Sequence, residues 1–141
     1  MEKANSRSAV NLDEVRSFLR RKEEKRQALL DQRFREAWRD FDAIVEYLIA
    51  RHAPKRIWQW GSLLDRKFFS EISDIDIAIE GLTGPQEFFA VRGKAQEMSA
   101  FPLDILEMES VGETNAEHIR ENGRLVYEQG TGTDQRAGKT A

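Results

Sequence analysis

From Ser73 to Glu80 the chain alternates without a break. Ile75, Ile77 and Ile79 fall on one face of an extended segment, and Asp74, Asp76, Ala78 and Glu80 fall on the other. Residues two apart share a face only in a strand, so the segment predicts a β-strand with one buried side. Gly81 and Gly84 end it. A strand needs neighbours, and two further segments can supply them. Arg56-Ile57-Trp58-Gln59-Trp60 reads as a short strand stopped by Gly61, and Leu103 to Met108 as another after Pro102.

Helical patterns separate these strands. Asn11 can cap a helix beginning at Leu12, with Asp13 and Glu14 well placed in its first turn. No Gly or Pro follows until Pro54. Leu29/Leu30, Phe34, Ala37/Trp38, Phe41, Ile44/Val45 and Leu48 recur at helical spacing and mark a buried stripe. The charged run Arg20 to Gln27 interrupts that stripe, either as a solvated part of one long helix or as the joint between two. Ser62 to about Ser70 reads as a turn and a short helix. Pro85 opens another helix, with Phe88/Phe89, Val91/Arg92, Ala95 and Met98 inward. Thr114 can cap a last one, Asn115 to Glu121, ended by Gly123, after which Leu125-Val126-Tyr127 packs a final apolar piece. Residues 1–11 and 129–141 are expected to be disordered, 12–54 to form a helical arm on the core, and 55–128 to form the core itself. The fold class is α/β (α+β), a small mixed sheet with flanking helices.

Asp is disfavoured inside strands, yet Asp74 and Asp76 sit within an isoleucine-alternating one. Spacing of two sets their Cβ atoms roughly 6–7 Å apart on one face. Such a pair can hold a hard divalent cation, and two cations if a third carboxylate arrives from a neighbouring strand. Asp104 can supply it. The alternative for the bare pair is an exposed strand face. Gly61-Ser62 stands between a strand and a helical turn, where backbone N–H groups and the Ser62 hydroxyl could meet a phosphate. Its alternative is an ordinary turn capped by Ser62. Paired carboxylates with a phosphate cradle are the equipment of nucleotidyl transfer.

Gly61-Ser62, eleven residues, then Asp74-Ile75-Asp76 resembles the Gly-Ser…Asp-x-Asp signature of nucleotidyltransferases of the DNA polymerase beta superfamily. Ser73 directly before Asp74 is similar to the form in the small, minimal members, as is the ending His118 to Tyr127. The resemblance covers about residues 56–128. It implies that Asp74, Asp76 and Asp104 ligate magnesium, as two ions. It implies also that Asp104 helps activate the acceptor hydroxyl, and that Gly61 and Ser62, with Ser73 and Arg66 beside them, hold the triphosphate of ATP or another NTP. The segment Leu63 to Ser73 lacks the glycine found there in many small members, so Arg66 and Lys67 are either phosphate contacts or surface charges.

The resemblance further implies transfer of a nucleoside monophosphate, AMP from ATP above all, to a protein or small-molecule hydroxyl. Small members often act as the antitoxin of a pair, modifying a HEPN ribonuclease encoded nearby. Antibiotic-type nucleotidyltransferases usually carry an extra helical domain. Leu12, Val15, Phe18 and Leu19 form a second apolar patch, which docks on such a partner, on a second copy through residues 12–50, or back on the core. Two other functions compete: a binding module without catalysis, and a polar domain whose carboxylates are merely exposed. The formal charge of −3 offers no bulk attraction to nucleic acid, and the absence of cysteine excludes thiolate chemistry. No signal peptide or membrane-spanning run is visible, so a cytoplasmic protein is expected. His52 and His118 read as surface or capping residues, and Trp38, Trp58 and Trp60 as core rather than stacking platforms.

Overall fold

The structure is a computed structural model that describes residues 10–130. Most of the two termini expected to be disordered therefore lies outside the described residues. Their inner ends are ordered: Asn11 caps a helix, and Gln129 donates its backbone N–H to the Lys55 carbonyl and its side-chain amide to that of Ala53.

Helix α1 runs unbroken over Leu12–His52, 41 residues, about 60 Å at 1.5 Å per residue. Asn11 Oδ1 accepts from the N–H groups of Asp13 and Glu14, at 2.9 and 3.2 Å. Ala53 takes a left-handed conformation at the other end, and Pro54 follows. The charged run is thus part of one helix. Its side chains bond within the helix, as Arg26 does to Glu23 at 2.9 Å, and, near the end of the run, across to the core's surface, as Arg26 does to Glu71 at 2.7 Å. No residue from Asn11 to Leu29 is buried; Leu30 is the first.

Strands β1 (Arg56–Trp60), β2 (Ile75–Glu80), β3 (Leu103–Glu107) and β4 (Arg124–Glu128) form one sheet in the order β3-β2-β1-β4. β1 pairs antiparallel with both β2 and β4, and β2 pairs parallel with β3. β4 was expected only as an apolar piece. Its three apolar residues show no alternation, and a bulge opposite Ile57/Trp58 in the β1–β4 register lets Val126 reach the core.

Helices α2 (Pro85–Glu97) and α1 cover one face of the sheet, where Ile57, Ile75, Ile77, Ile79 and Ile105 meet Phe41, Ile44, Val45, Leu48, Val91 and Ala95. Helix α3 (Glu113–Asn122) covers part of the other, where Ala78 and Met108 meet Ala116 and Ile119. β2 is therefore buried on both sides, not one, as suits a strand inside a covered sheet. The details of the helices also differ from expectation. Phe89 and Arg92 are exposed on α2, and α3 starts from Gly112, at φ +88, rather than from a Thr114 cap. His52 ties α1 to α2, contacting the Tyr47 hydroxyl at 2.9 Å and Glu87 at 2.7 Å. It was expected at the surface or as a cap and is neither: its ring bonds only the side chains of Tyr47 and Glu87, and Ala53 closes the helix. No described helix is long and apolar enough to cross a membrane.

Candidate active site

The parallel pairing of β2 with β3 sets the site. Its register matches Ile75 with Leu103 and Asp76 with Asp104, beginning where the Ile75 N–H donates to the Pro102 carbonyl at 2.9 Å. Matched residues in neighbouring strands share a face, so Asp104 stands beside Asp76, with Asp74 one step before the strand on the same side. Each of the three offers a carboxylate oxygen within 4.8 Å of the other two. Because α3 packs over Ala78 and Met108, further along the strands, the N-terminal ends of β2 and β3 are left to one another. The three predicted carboxylates do come together.

Asp76 is the buried member, 6% exposed, while Asp74 and Asp104 are half-buried. Burial first, and the negative charges of Asp74 and Asp104 next, push its carboxyl up to about 7. Three acids this close oppose one another, and the ligand atoms they bring together are carboxylate oxygens. That is the donor chemistry that suits magnesium or calcium, and a cation there would relieve the repulsion. The residues fit a hard divalent ion.

Gly61 has a role the sequence did not announce. Its φ is +83, and a Cβ added to it would collide with Oδ2 and Cγ of Asp76. The missing side chain is the seat of the Asp76 carboxylate. Trp60, just before it, is the cross-strand partner of Asp76. The signal lay in the Gly-Ser spacing, but the contact depends on the β1–β2 register, which sequence did not supply.

Ser62 and Ser73 are joined. The Ser62 hydroxyl donates to Ser73 Oγ at 2.8 Å, and Ser73 Oγ also accepts from the Ser70 N–H at 2.8 Å. The pair pins the start of the 62–73 connection to the residue before Asp74. Leu63 and Phe69 bury the connection's apolar side, Phe69 edge-on to Phe34 of α1 at 5.4 Å. Arg66 stands apart from the carboxylates' own contacts. Its guanidinium bonds the Asp31 carboxylate and the side-chain and backbone carbonyls of Gln27, all on α1. Here it acts as a strut, because Asp31 and Gln27 already take its donors. Lys67 lies against Asp65 and over the Phe68 ring.

Two recesses flank the carboxylates. One, about 340 Å³, runs along the outer edge of β3 past Asp104, Phe88 and Arg92. The other, about 360 Å³, lies between Trp60, Leu106 and α3. Neither a model of any known protein family nor any curated protein matches the chain.

Proposed function

We propose that the chain is a magnesium-dependent nucleotidyltransferase, moving a nucleoside monophosphate, in the first instance AMP from ATP, onto a hydroxyl with release of pyrophosphate. The observation that carries this reading is the in-register pairing of Asp76 with Asp104, which completes a three-carboxylate cluster with Asp74 within 4.8 Å. The Gly61-Ser62 turn abutting that cluster supports it.

In this reading Asp74, Asp76 and Asp104 hold one or two magnesium ions, which when bound neutralise charge on the phosphates. Gly61 and Ser62 hold the triphosphate tail. The acceptor oxygen attacks the α-phosphorus, the bond from that phosphorus to the bridging oxygen breaks, and pyrophosphate leaves. The hydroxyl proton passes to Asp104, the half-buried carboxylate on the β3 side. Asp76, pushed up to about 7, gives up its proton as the ion arrives. The acceptor class is a protein or small-molecule hydroxyl; the family resemblance favours a HEPN-type ribonuclease partner and an antitoxin role in the cytoplasm.

The test is label transfer. The chain is incubated with magnesium, each NTP labelled at the α-phosphate, and an extract containing candidate acceptors. Label passing to a protein or small molecule in step with pyrophosphate release, and absent with Asp74→Asn/Asp76→Asn, supports the reading. Transfer that survives the double substitution sinks it.

One observation favours a second reading, a binding module. The first half of α1 exposes Leu12, Val15, Phe18, Leu19 and Leu29, an apolar run with no core to cover. In that reading the arm, residues 12–50, binds a partner or a second copy of the chain. Neutralisation of a partner that survives the double Asn substitution but fails with Phe18→Glu and Leu19→Glu favours it over catalysis.

A further inference from the structure

We propose that the recess between the carboxylates and α3 receives a flat aromatic ring carried by one of the two reactants. This rests on the transfer reading above and deepens it. The floor of the recess lies on the same face of the sheet as the carboxylates. Trp60 is the cross-strand neighbour of Asp76, about 5 Å away at Cβ, and Leu106 follows Asp104 by two residues on the same face, about 6–7 Å on. The far wall is Val111 with Asn115, His118 and Ile119 of α3. A molecule reacting at the carboxylates thus has this recess as the next surface along the sheet.

The lining favours a ring. Trp60, Leu106, Val111 and Ile119 are apolar, and an indole wall gives a planar guest a face to stack on. The volume, about 360 Å³, lies within the range of small-molecule sites. Polar groups stand at the α3 side, as such sites require for orientation. The Asn122 side-chain amide approaches His118 Nδ1 at 3.1 Å. The imidazole edge at this wall is a polar group that a ring oxygen or nitrogen can meet. The Asn115 side chain, bonded to the Val111 carbonyl at 2.8 Å, is fixed at the same wall. Trp60 is half-buried, packed beside the α3 cluster and lining the recess. Two sources share this chemistry, the base of the nucleotide and an aromatic ring bearing the acceptor hydroxyl.

The test is a titration of the full ¹⁵N-labelled chain, followed by the Trp60 indole N–H and the Asn115 side-chain amide. The ligands are adenosine, guanosine, cytidine and uridine in one arm and p-cresol in the other. Saturable shifts centred on the recess are expected. A nucleoside response assigns the ring to the nucleotide, and a response to p-cresol alone assigns it to the acceptor. Val111→Trp, and Asn115→Trp at an exposed position, should each weaken ring binding at least tenfold. Magnesium-dependent binding of tripolyphosphate should be unchanged in both, since it needs only the carboxylates and the Gly61-Ser62 turn. No saturable shift in either arm overturns the proposal, whatever tripolyphosphate does. Ring binding without any tripolyphosphate binding counts against the transfer reading instead.

Discussion

Gly61 and Asp76 are one unit at the scale of the residue, and each can be perturbed to test the other. In Gly61→Ala the backbone is held at a positive φ and the new methyl meets the Asp76 carboxylate. The strained backbone, at φ +83 and ψ −164, alone costs about 1–3 kcal/mol. Urea denaturation should show at least that loss. Magnesium titration should show a further drop in affinity of about tenfold, because a carboxylate moved by about 1 Å no longer meets its neighbours' ion. Unchanged metal affinity with normal stability would mean the close contact is not real. The acids themselves were legible in the sequence as Asp in a strand; the seat beneath Asp76 was not, since it joins residues from two strands through a register.

The raised carboxyl of Asp76 makes a signed prediction. In the fold it keeps its proton to about pH 7, against 3.8 for the ordinary group. Between those values the native state binds more protons than the unfolded chain, so metal-free stability falls as pH rises from about 4 to 7. Asp76→Asn lacks that fall. In chelator it should be more stable than the native chain at pH 8 by about 1–3 kcal/mol, a span set by about 1.4 kcal/mol per pKa unit and discounted for screening. The gap should close below pH 4. Denaturation curves across pH give the answer, and a native chain more stable than the variant at pH 8 in chelator would contradict the burial argument. Magnesium at one hundred times Kd should add about 2.7 kcal/mol to the native chain and so close or overturn that gap.

Among the elements, β2 was readable because isoleucines at period two leave few alternatives, and β3 as a short apolar segment after Pro102. α1 was readable from its caps and the lack of Gly or Pro. Their partners were harder. β4 has only Leu125, Val126 and Tyr127 between polar neighbours, and its strand character comes from pairing with β1. Burial of the second face of β2 depends on α3, which offers just Ala116 and Ile119 from a largely polar helix. Tertiary packing decides such cases, and a single sequence does not display it. Arg66 is the instructive site residue. Sequence left it between phosphate and surface charge, and it braces the 62–73 connection against Asp31 and Gln27 of α1. Arg66→Ala should cost about 0.5–1 kcal/mol as a partly exposed pair. Its hydrogen exchange should rise across residues 62–73 while β1 and β2 stay protected. Equal exchange in both chains would show that the strut does not hold the connection.

At the scale of the whole molecule, a compact sheet-and-helix core carries a helix that outruns it. Residues 12–29 extend about 27 Å from the first buried residue, Leu30. Removing residues up to Lys22 spares every described contact between α1 and the core. It should move Tm by no more than about 2 °C and leave magnesium-dependent nucleotide binding intact, as read by thermal melting and calorimetry. A collapse of the core on truncation would show that the arm folds back, contrary to the structure. The division matters for function, because it separates the proposed chemistry from the proposed docking surface.

The most direct measurement is calorimetric titration of ATP, in magnesium and in chelator, into the native chain and into Asp76→Asn. A nucleotidyl-transfer site predicts binding that needs magnesium and weakens at least tenfold in the variant. Binding that ignores both the metal and the substitution, or no binding of any of the four NTPs by the native chain, would contradict it.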